Sequence, residues 1–295
     1  MYKYLGKKVT VMACSKCNIN CEHCYISYTG DRSSEELKRL VSKLSSRYKV
    51  EINGAEILTD FGYLESFPIV GQDFLMTNGL AIYENPDILD MLKKYGITKI
   101  FMSYHYGIQD DISVVSKTQL ETNIKNVLSR GFKLRLYTTI TSTNYESIQE
   151  MIQNSKEYGA YSIRFTNFIK QGNAVGMDTS AIMTDEQIDE FLKRVSYQRS
   201  QNSVDVFKIT RCGTFGKAGS KNFCCYAGTD NVVITPDNKV YPCIFLAKPG
   251  FEIGYFDGED ILLYLPAHND GETCVAKEVC NSDNMKLFDE MFRKQ

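Results

Sequence analysis

The chain has 295 residues, 34 basic and 36 acidic, for a formal charge of −2, with 43% hydrophobic and 24% charged residues. This balance excludes a disordered or fibrous chain and gives no net basic footprint for nucleic acid or anionic lipid. No apolar run is long enough to span a bilayer, and the opening MYKYLGKKVT lacks the apolar core of a secretory signal, so a cytoplasmic protein with no membrane partner is expected.

Residues 8–13 (KVTVMA) read as a short buried strand running straight into Cys14, Cys17, Cys21 and Cys24. Residues 33–47 follow as a helix, with Ser33 or Ser34 to cap it and Leu37, Leu40, Val41 and Leu44 at helical spacing. Strands are then expected at 48–53, 73–77, 97–104, 132–140 and 161–168. Helices lie between them at about 86–95, 118–130 and 145–158, with Gly96, Gly131 and Gly159 where C-caps belong. Six βα-type units in about 170 residues predict a parallel sheet wrapped by helices, an open partial (βα)6 TIM-like barrel rather than a full eight-unit one. Active sites on such sheets gather at the carboxyl ends of the strands, where the first cysteine loop falls. A turn-rich connector and an amphipathic helix at 184–198 with Thr184 as N-cap come next, and short strands follow from about 204. The expected domains are therefore a barrel over 1–175, a linker and helix over 176–203, and a small α+β domain over 204–295.

The ten cysteines are clustered: four at 14–24, then six at 212, 224, 225, 243, 274 and 280. In a chain read as cytoplasmic, such clustering points to metal or redox chemistry rather than a disulfide scaffold. Cys17-x3-Cys21-x2-Cys24, on a loop after a strand, offers three thiolates to three irons of a 4Fe–4S cube and leaves the fourth iron open. The competing reading, a structural zinc site with Cys14 as fourth ligand, suffers because such knuckles are usually separated by a dozen or more residues. Cys14 itself is read as a buried strand-end thiol.

On these residues, with His23 and Tyr25 flanking Cys24, the sequence resembles the radical S-adenosylmethionine (radical SAM) superfamily. That resemblance implies a partial (βα)6 barrel carrying CxxxCxxC after its first strand. Further stretches carry the likeness. Asn53-Gly54-Ala55-Glu56 is similar to the family's Gly-Gly-Glu motif, which implies that Gly54 and Ala55 let the backbone approach SAM while Glu56 accepts its ammonium. Thr77-Asn78-Gly79 is similar to a family turn, which makes Asn78 a ligand contact or simply an Asn-Gly turn residue. Ser103 matches a position whose hydroxyl faces the SAM ribose or carboxylate, or is simply a turn residue at a strand end. Arg135 and Arg164, on covered strands, need partners; a carboxylate of SAM or of substrate is a candidate, as is solvent. His105 is read either as a substrate contact or as a satisfied loop histidine.

The segment from Cys225 to Cys243 resembles the auxiliary-cluster signature of the SPASM and twitch subfamily, a strand–turn–strand bracketed by cysteines. Asn238 stands where the family has glycine, in the turn of a hairpin VVITPDNKVYP. Cys225, Cys243, Cys274 and Cys280 would complete one auxiliary 4Fe–4S cluster; six late cysteines are too few for two. Cys212 and one of Cys224 and Cys225 are then spare. The resemblance implies reductive cleavage of SAM to a 5′-deoxyadenosyl radical that abstracts hydrogen from a substrate carbon, with electrons from a flavodoxin- or ferredoxin-type donor.

Three functional readings remain open. The first is modification of a ribosomally made peptide by crosslink, thioether or epimerisation. The second is oxidation or epimerisation of a small molecule such as a sugar or aminocyclitol. The third is a non-catalytic iron–sulfur or zinc scaffold. Only a dozen or so residues precede the cysteines, so no fused N-terminal peptide-recognition domain is expected. An epimerase would need a hydrogen donor, and Cys212 and Cys224 are the candidate catalytic thiols.

Overall fold

The computed structural model describes residues 1–203, 206–211, 215 and 226–266, and these form two compact units built around two sheets. Cys212, Cys224, Cys225, Cys274 and Cys280 lie outside the described residues.

The first unit comprises Met1–Asn18, Tyr25–Gln72 and the described part of the chain after Gly216. Its sheet runs β1-β12-β11-β10-β9-β2-β3. The strands are β1 (Tyr2–Lys3), β2 (Lys8–Met12), β3 (Lys49–Asn53), β9 (Asn231–Ile234), β10 (Lys239–Tyr241), β11 (Gly254–Phe256) and β12 (Ile261–Leu263). β2 lies parallel to both β3 and β9, so the hairpin read from the late sequence extends the sheet that leads into the first cysteine motif. On the β3 edge, the Gln72 amide acts like a strand: its Oε1 accepts from Ile52 N–H at 2.7 Å and its Nε2 donates to Ile52 C=O at 3.0 Å. The helix Ser34–Ser45 starts at Ser33 with a reciprocal capping box to Glu36, and it buries Leu37, Leu40, Val41 and Leu44, the stripe expected from their spacing.

The turn between β9 and β10 explains the asparagine at the family's glycine position. Asn238 has φ 64°, the one left-handed non-glycine residue among those described, and asparagine tolerates that region better than other side chains. Its Oδ1 accepts from Nη1 of the buried Arg32 at 2.9 Å, while Nη2 donates to Thr235 C=O. Burial pushes the Arg32 guanidinium down to about 10, so this cation depends on its few partners. Asn238→Ala removes one acceptor and strains the turn, and should cost about 2–4 kcal/mol, read as a shift of the urea-unfolding midpoint at matched iron content. Asn238→Gly should restore the backbone share of that loss only.

The second unit comprises Ile19–Cys24 and Asp73–Phe215. It holds five parallel strands in sequence order: β4 (Phe74–Thr77), β5 (Lys99–Ser103), β6 (Lys133–Ile140), β7 (Ser162–Asn167) and β8 (Lys208–Arg211). The six expected βα strands are therefore all present, two in the first sheet and four in the second. Helices Ile88–Lys94, Lys117–Ser129, Ile148–Glu157 and Asp185–Gln201 fall where they were expected, and Gly96, Gly131 and Gly159 adopt positive φ just after three of them. Along β6, Leu134, Leu136, Thr138 and Ile140 are buried, while Arg135, Tyr137 and Thr139 on the other face are half-buried. β7 alternates likewise, and its buried Phe165 meets Phe191 of the helix Asp185–Gln201 edge-on at 5.6 Å. The helices thus cover one face of this sheet. No helix among the described residues is long and apolar enough to cross a membrane.

Candidate metal and cofactor site

Beyond β2 the chain keeps pairing with the end of β3. Ala13 N–H donates to Asn53 C=O, Ala55 N–H to Cys14 C=O at 3.0 Å, and Glu56 N–H to Lys16 C=O at 3.2 Å. The Asn53–Glu56 stretch is thereby zipped along the residues that run into Cys17. Its glycine has a steric reason: a Cβ on Gly54 would lie 2.7 Å from Cys14 Sγ. Cys14 is buried, its thiol 3.6 Å from Glu56 C=O, and burial pushes its pKa up, as suits an inert core thiol. Asp31, which the sequence reading passed over, accepts from Ser15 and Lys16 N–H at 2.9 and 3.0 Å and so fixes the approach to Cys17. Glu56 is fully buried, and its Oε1 accepts from Leu58 N–H at 3.1 Å, capping the short 3-10 turn Ile57–Thr59.

The rest of the motif belongs to the second unit. Cys24 N–H donates to Cys21 C=O at 3.3 Å, closing a tight turn. Asn173 holds this turn: its Nδ2 donates to Cys21 C=O at 3.0 Å and to Asn20 Oδ1 at 2.7 Å, while Ala174 N–H reaches Cys24 C=O at 3.4 Å. His23 points its Nδ1 at Ile112 C=O, 2.8 Å away, and meets the ring of His105 edge-on at 4.6 Å. His105 is buried, its Nδ1 accepts from Thr139 N–H at 3.4 Å, and burial with His23 beside it drives its pKa well below the ordinary value. The Thr139 N–H and the edge of the His23 ring hold it in place after β5.

Cys17, Cys21 and Cys24 are half-buried thiols, and none of them is in a disulfide. Among the described residues no three ligating side chains are gathered at one point, so the fit to a cluster rests on donor chemistry. The motif's three cysteine sulfurs are soft donors, the set that iron–sulfur clusters take.

The remaining candidates lie on or beside the second sheet. The Thr77–Gly79 turn is tied internally, with Gly79 N–H donating to Thr77 Oγ1 and Leu80 N–H to Asn78 Oδ1. Gly79 has φ 88°, and Asn123 donates to its C=O at 2.8 Å, so this glycine has a structural use. Ser103, Tyr137 and Arg164 stand in one register row across β5, β6 and β7. Arg135 lies in the neighbouring row beside Phe101 and Ser162. Of the auxiliary-cluster cysteines, Cys243 is described: it is half-buried and opens the 3-10 turn Ile244–Leu246. Within the first unit, Tyr25 packs on Phe245 with ring centroids 4.7 Å apart, and Ser27 donates to Ala247 C=O, tying the residues after Cys24 to those after Cys243.

No family model matches the chain. In sequence it is 24% identical over 254 residues to the antilisterial bacteriocin subtilosin biosynthesis protein AlbA of Bacillus subtilis (strain 168), covering 81% of this chain and 55% of that protein. The chain thus spans little more than half the length of that relative. In structure it is similar to Streptococcus suis SuiB bound to the precursor peptide SuiA, with TM-score 0.67, 14% identity, and coverage of 98% of this chain and 68% of that one. It is also similar to anSMEcpe with bound AdoMet, with TM-score 0.64, 14% identity, and coverage of 93% and 82%. The mixed α/β fold of parallel strands and helices expected from the sequence is therefore the one these structures share.

Proposed function

We propose that the chain is a radical SAM enzyme that modifies a ribosomally made peptide. The observation that carries this is the three-thiol loop directly after β2, in a fold shared with SuiB, which was solved with a precursor peptide. AlbA, a bacteriocin biosynthesis protein by name, supports the same substrate class. When bound by Cys17, Cys21 and Cys24, a 4Fe–4S cluster supplies the electron that cleaves SAM; its external source is a flavodoxin- or ferredoxin-type reductant.

The chain's own residues bind and orient. Glu56 accepts the SAM ammonium, with Gly54 and Ala55 keeping the backbone close, and Asn78 is a further SAM contact. Ser103 and Arg135 receive its ribose and carboxylate, and Arg164 is the further cation on that sheet. Cys225, Cys243, Cys274 and Cys280 would hold one auxiliary 4Fe–4S cluster in the C-terminal part of the chain. Asn173 is a positioning residue for the cysteine loop. Asn173→Ala removes two hydrogen bonds from a half-exposed turn, so it should change the unfolding free energy by about 1 kcal/mol yet speed loss of iron to a chelator several-fold.

A peptide suits this fold better than an aminocyclitol, because the strands of the second sheet carry cations and no carboxylate, which disfavours a cationic substrate. Whether the outcome is oxidative or an epimerisation turns on Cys212 and Cys224, one of which we assign as hydrogen donor. The deciding experiment is anaerobic reconstitution with iron and sulfide, then SAM, dithionite and peptide in deuterium oxide. Release of 5′-deoxyadenosine establishes the enzyme class; none from a cluster-replete sample leaves a binding module. One deuterium in the product, lost in the alanine variant of the donor cysteine, assigns epimerisation, whereas a product two hydrogens lighter assigns oxidation.

A further inference from the structure

The five strands of the second sheet contain Lys99, Lys133, Arg135, Arg164, Lys208 and Arg211, and no Asp or Glu. Lys99 is matched by Asp73, which lies just before β4. Arg135 and Arg164 stand on the face that the helices leave open, and among the described residues neither meets a carboxylate. Their situations differ. Arg135 is packed in place: its guanidinium lies 4.4 Å from the Phe101 ring centroid and 5.4 Å from that of Tyr161, and its Nε donates to Ser162 Oγ at 3.2 Å. Arg164 has the Tyr137 ring at 5.9 Å, and among the described residues none of its guanidinium N–H donors meets an acceptor. It is nevertheless half-buried and held on a strand between Tyr137 and Thr210 in register. A half-buried guanidinium on that face, with its planar fork unused, suits a carboxylate.

We infer that Arg164 is a specificity-determining residue that receives a carboxylate of the substrate, an acidic side chain or a peptide C-terminus, while Arg135 serves SAM. This rests on the peptide-modifying reading above and adds the chemistry of the peptide to it. Arg135 lies two residues, about 7 Å, back along the sheet from the Arg164 row, so one carboxylate does not satisfy both.

The test uses the reconstituted full chain and three tripeptide probes, N-acetyl-Gly-Glu-Gly-amide, N-acetyl-Gly-Gln-Gly-amide and N-acetyl-Gly-Gln-Gly with a free carboxyl end. Their affinities are compared by saturation-transfer NMR with SAM present. At least one carboxylate probe should bind about ten-fold or more tighter than the fully neutral one, and which of the two does so identifies the source of the carboxylate. Arg164→Gln should abolish that preference and leave SAM affinity unchanged; Arg135→Gln should keep the preference and weaken SAM. Equal binding of all three probes, a preference that survives Arg164→Gln, or loss of SAM binding in that variant overturns the inference. 5′-Deoxyadenosine release without peptide, measured on the same samples, separates the two failures: release without carboxylate preference sinks this inference alone, and no release sinks the enzyme reading.

Discussion

Replacing Cys17, Cys21 and Cys24 together with alanine is expected to remove one cluster's iron and all SAM cleavage, leaving the residual iron of one auxiliary cluster. The three sulfurs are the motif's soft donors, and removing all of them leaves the loop no thiolate to hold iron. Cys14 is the internal control. It is only three residues from Cys17, but its side chain is buried beside Gly54 and its thiol is directed at Glu56 C=O. Cys14→Ala should therefore keep iron and activity and cost about 1 kcal/mol or less in stability. Iron and sulfide analysis, electron paramagnetic resonance of the reduced protein and 5′-deoxyadenosine release together check both variants. Retained cleavage in the triple variant sinks the radical SAM assignment; iron lost with Cys14 makes that thiol a ligand and removes the open coordination site. A triple variant with no residual iron, or with zinc in its place, sinks the auxiliary cluster.

Much of this fold is legible in the sequence because its signals are local. Alternation along Lys133–Ile140, the leucine stripe of Ser34–Ser45 and glycines at 96, 131 and 159 each report the geometry of their own few residues. Asn238 belongs with them, since a left-handed turn is a one-residue property. What the sequence does not announce is pairing at a distance. β9 joins β2 across more than two hundred residues of chain, and β8 closes the second sheet as a fifth parallel strand. Neither changes the hydrophobic period of its own strand. The division of the parallel strands between two sheets is likewise invisible locally, because the group on the β3 edge is a side chain, Gln72, indistinguishable in sequence from any loop glutamine.

The candidate site divides along the same line. Cysteines announce themselves by type and spacing, so the thiol loop is readable. The residues that hold it are ordinary polar residues in loops: Asp31 under Ser15 and Lys16, Asn173 on Cys21, and the His23–His105 pair. For Asn173 the turn-rich Gly172–Gly176 stretch is a faint signal, since a tight turn often exists to present a side chain. Arg135 and Arg164 were readable as cations needing partners. That one is packed and the other is not depends on which rings the neighbouring strands bring alongside.

Glu56→Gln is expected to weaken SAM binding about 10- to 100-fold while leaving the fold and the iron content unchanged. This side chain has two jobs. The carboxylate caps the turn Ile57–Thr59 by accepting from Leu58 N–H, and a glutamine amide oxygen can accept the same bond. With the cap kept, a drop in affinity at an unchanged urea midpoint reports the ammonium contact, a charge-assisted interaction of about 1.5–3 kcal/mol. Glu56→Ala separates the jobs from the other side. It deletes the cap as well and empties a fully buried site, so it should lower the urea midpoint in addition to SAM affinity. Equilibrium binding of SAM to the reconstituted protein, with iron counted in each sample, distinguishes the cases. If the glutamine variant binds SAM as tightly as the parent, Glu56 is a capping residue alone, and the ammonium must be received elsewhere.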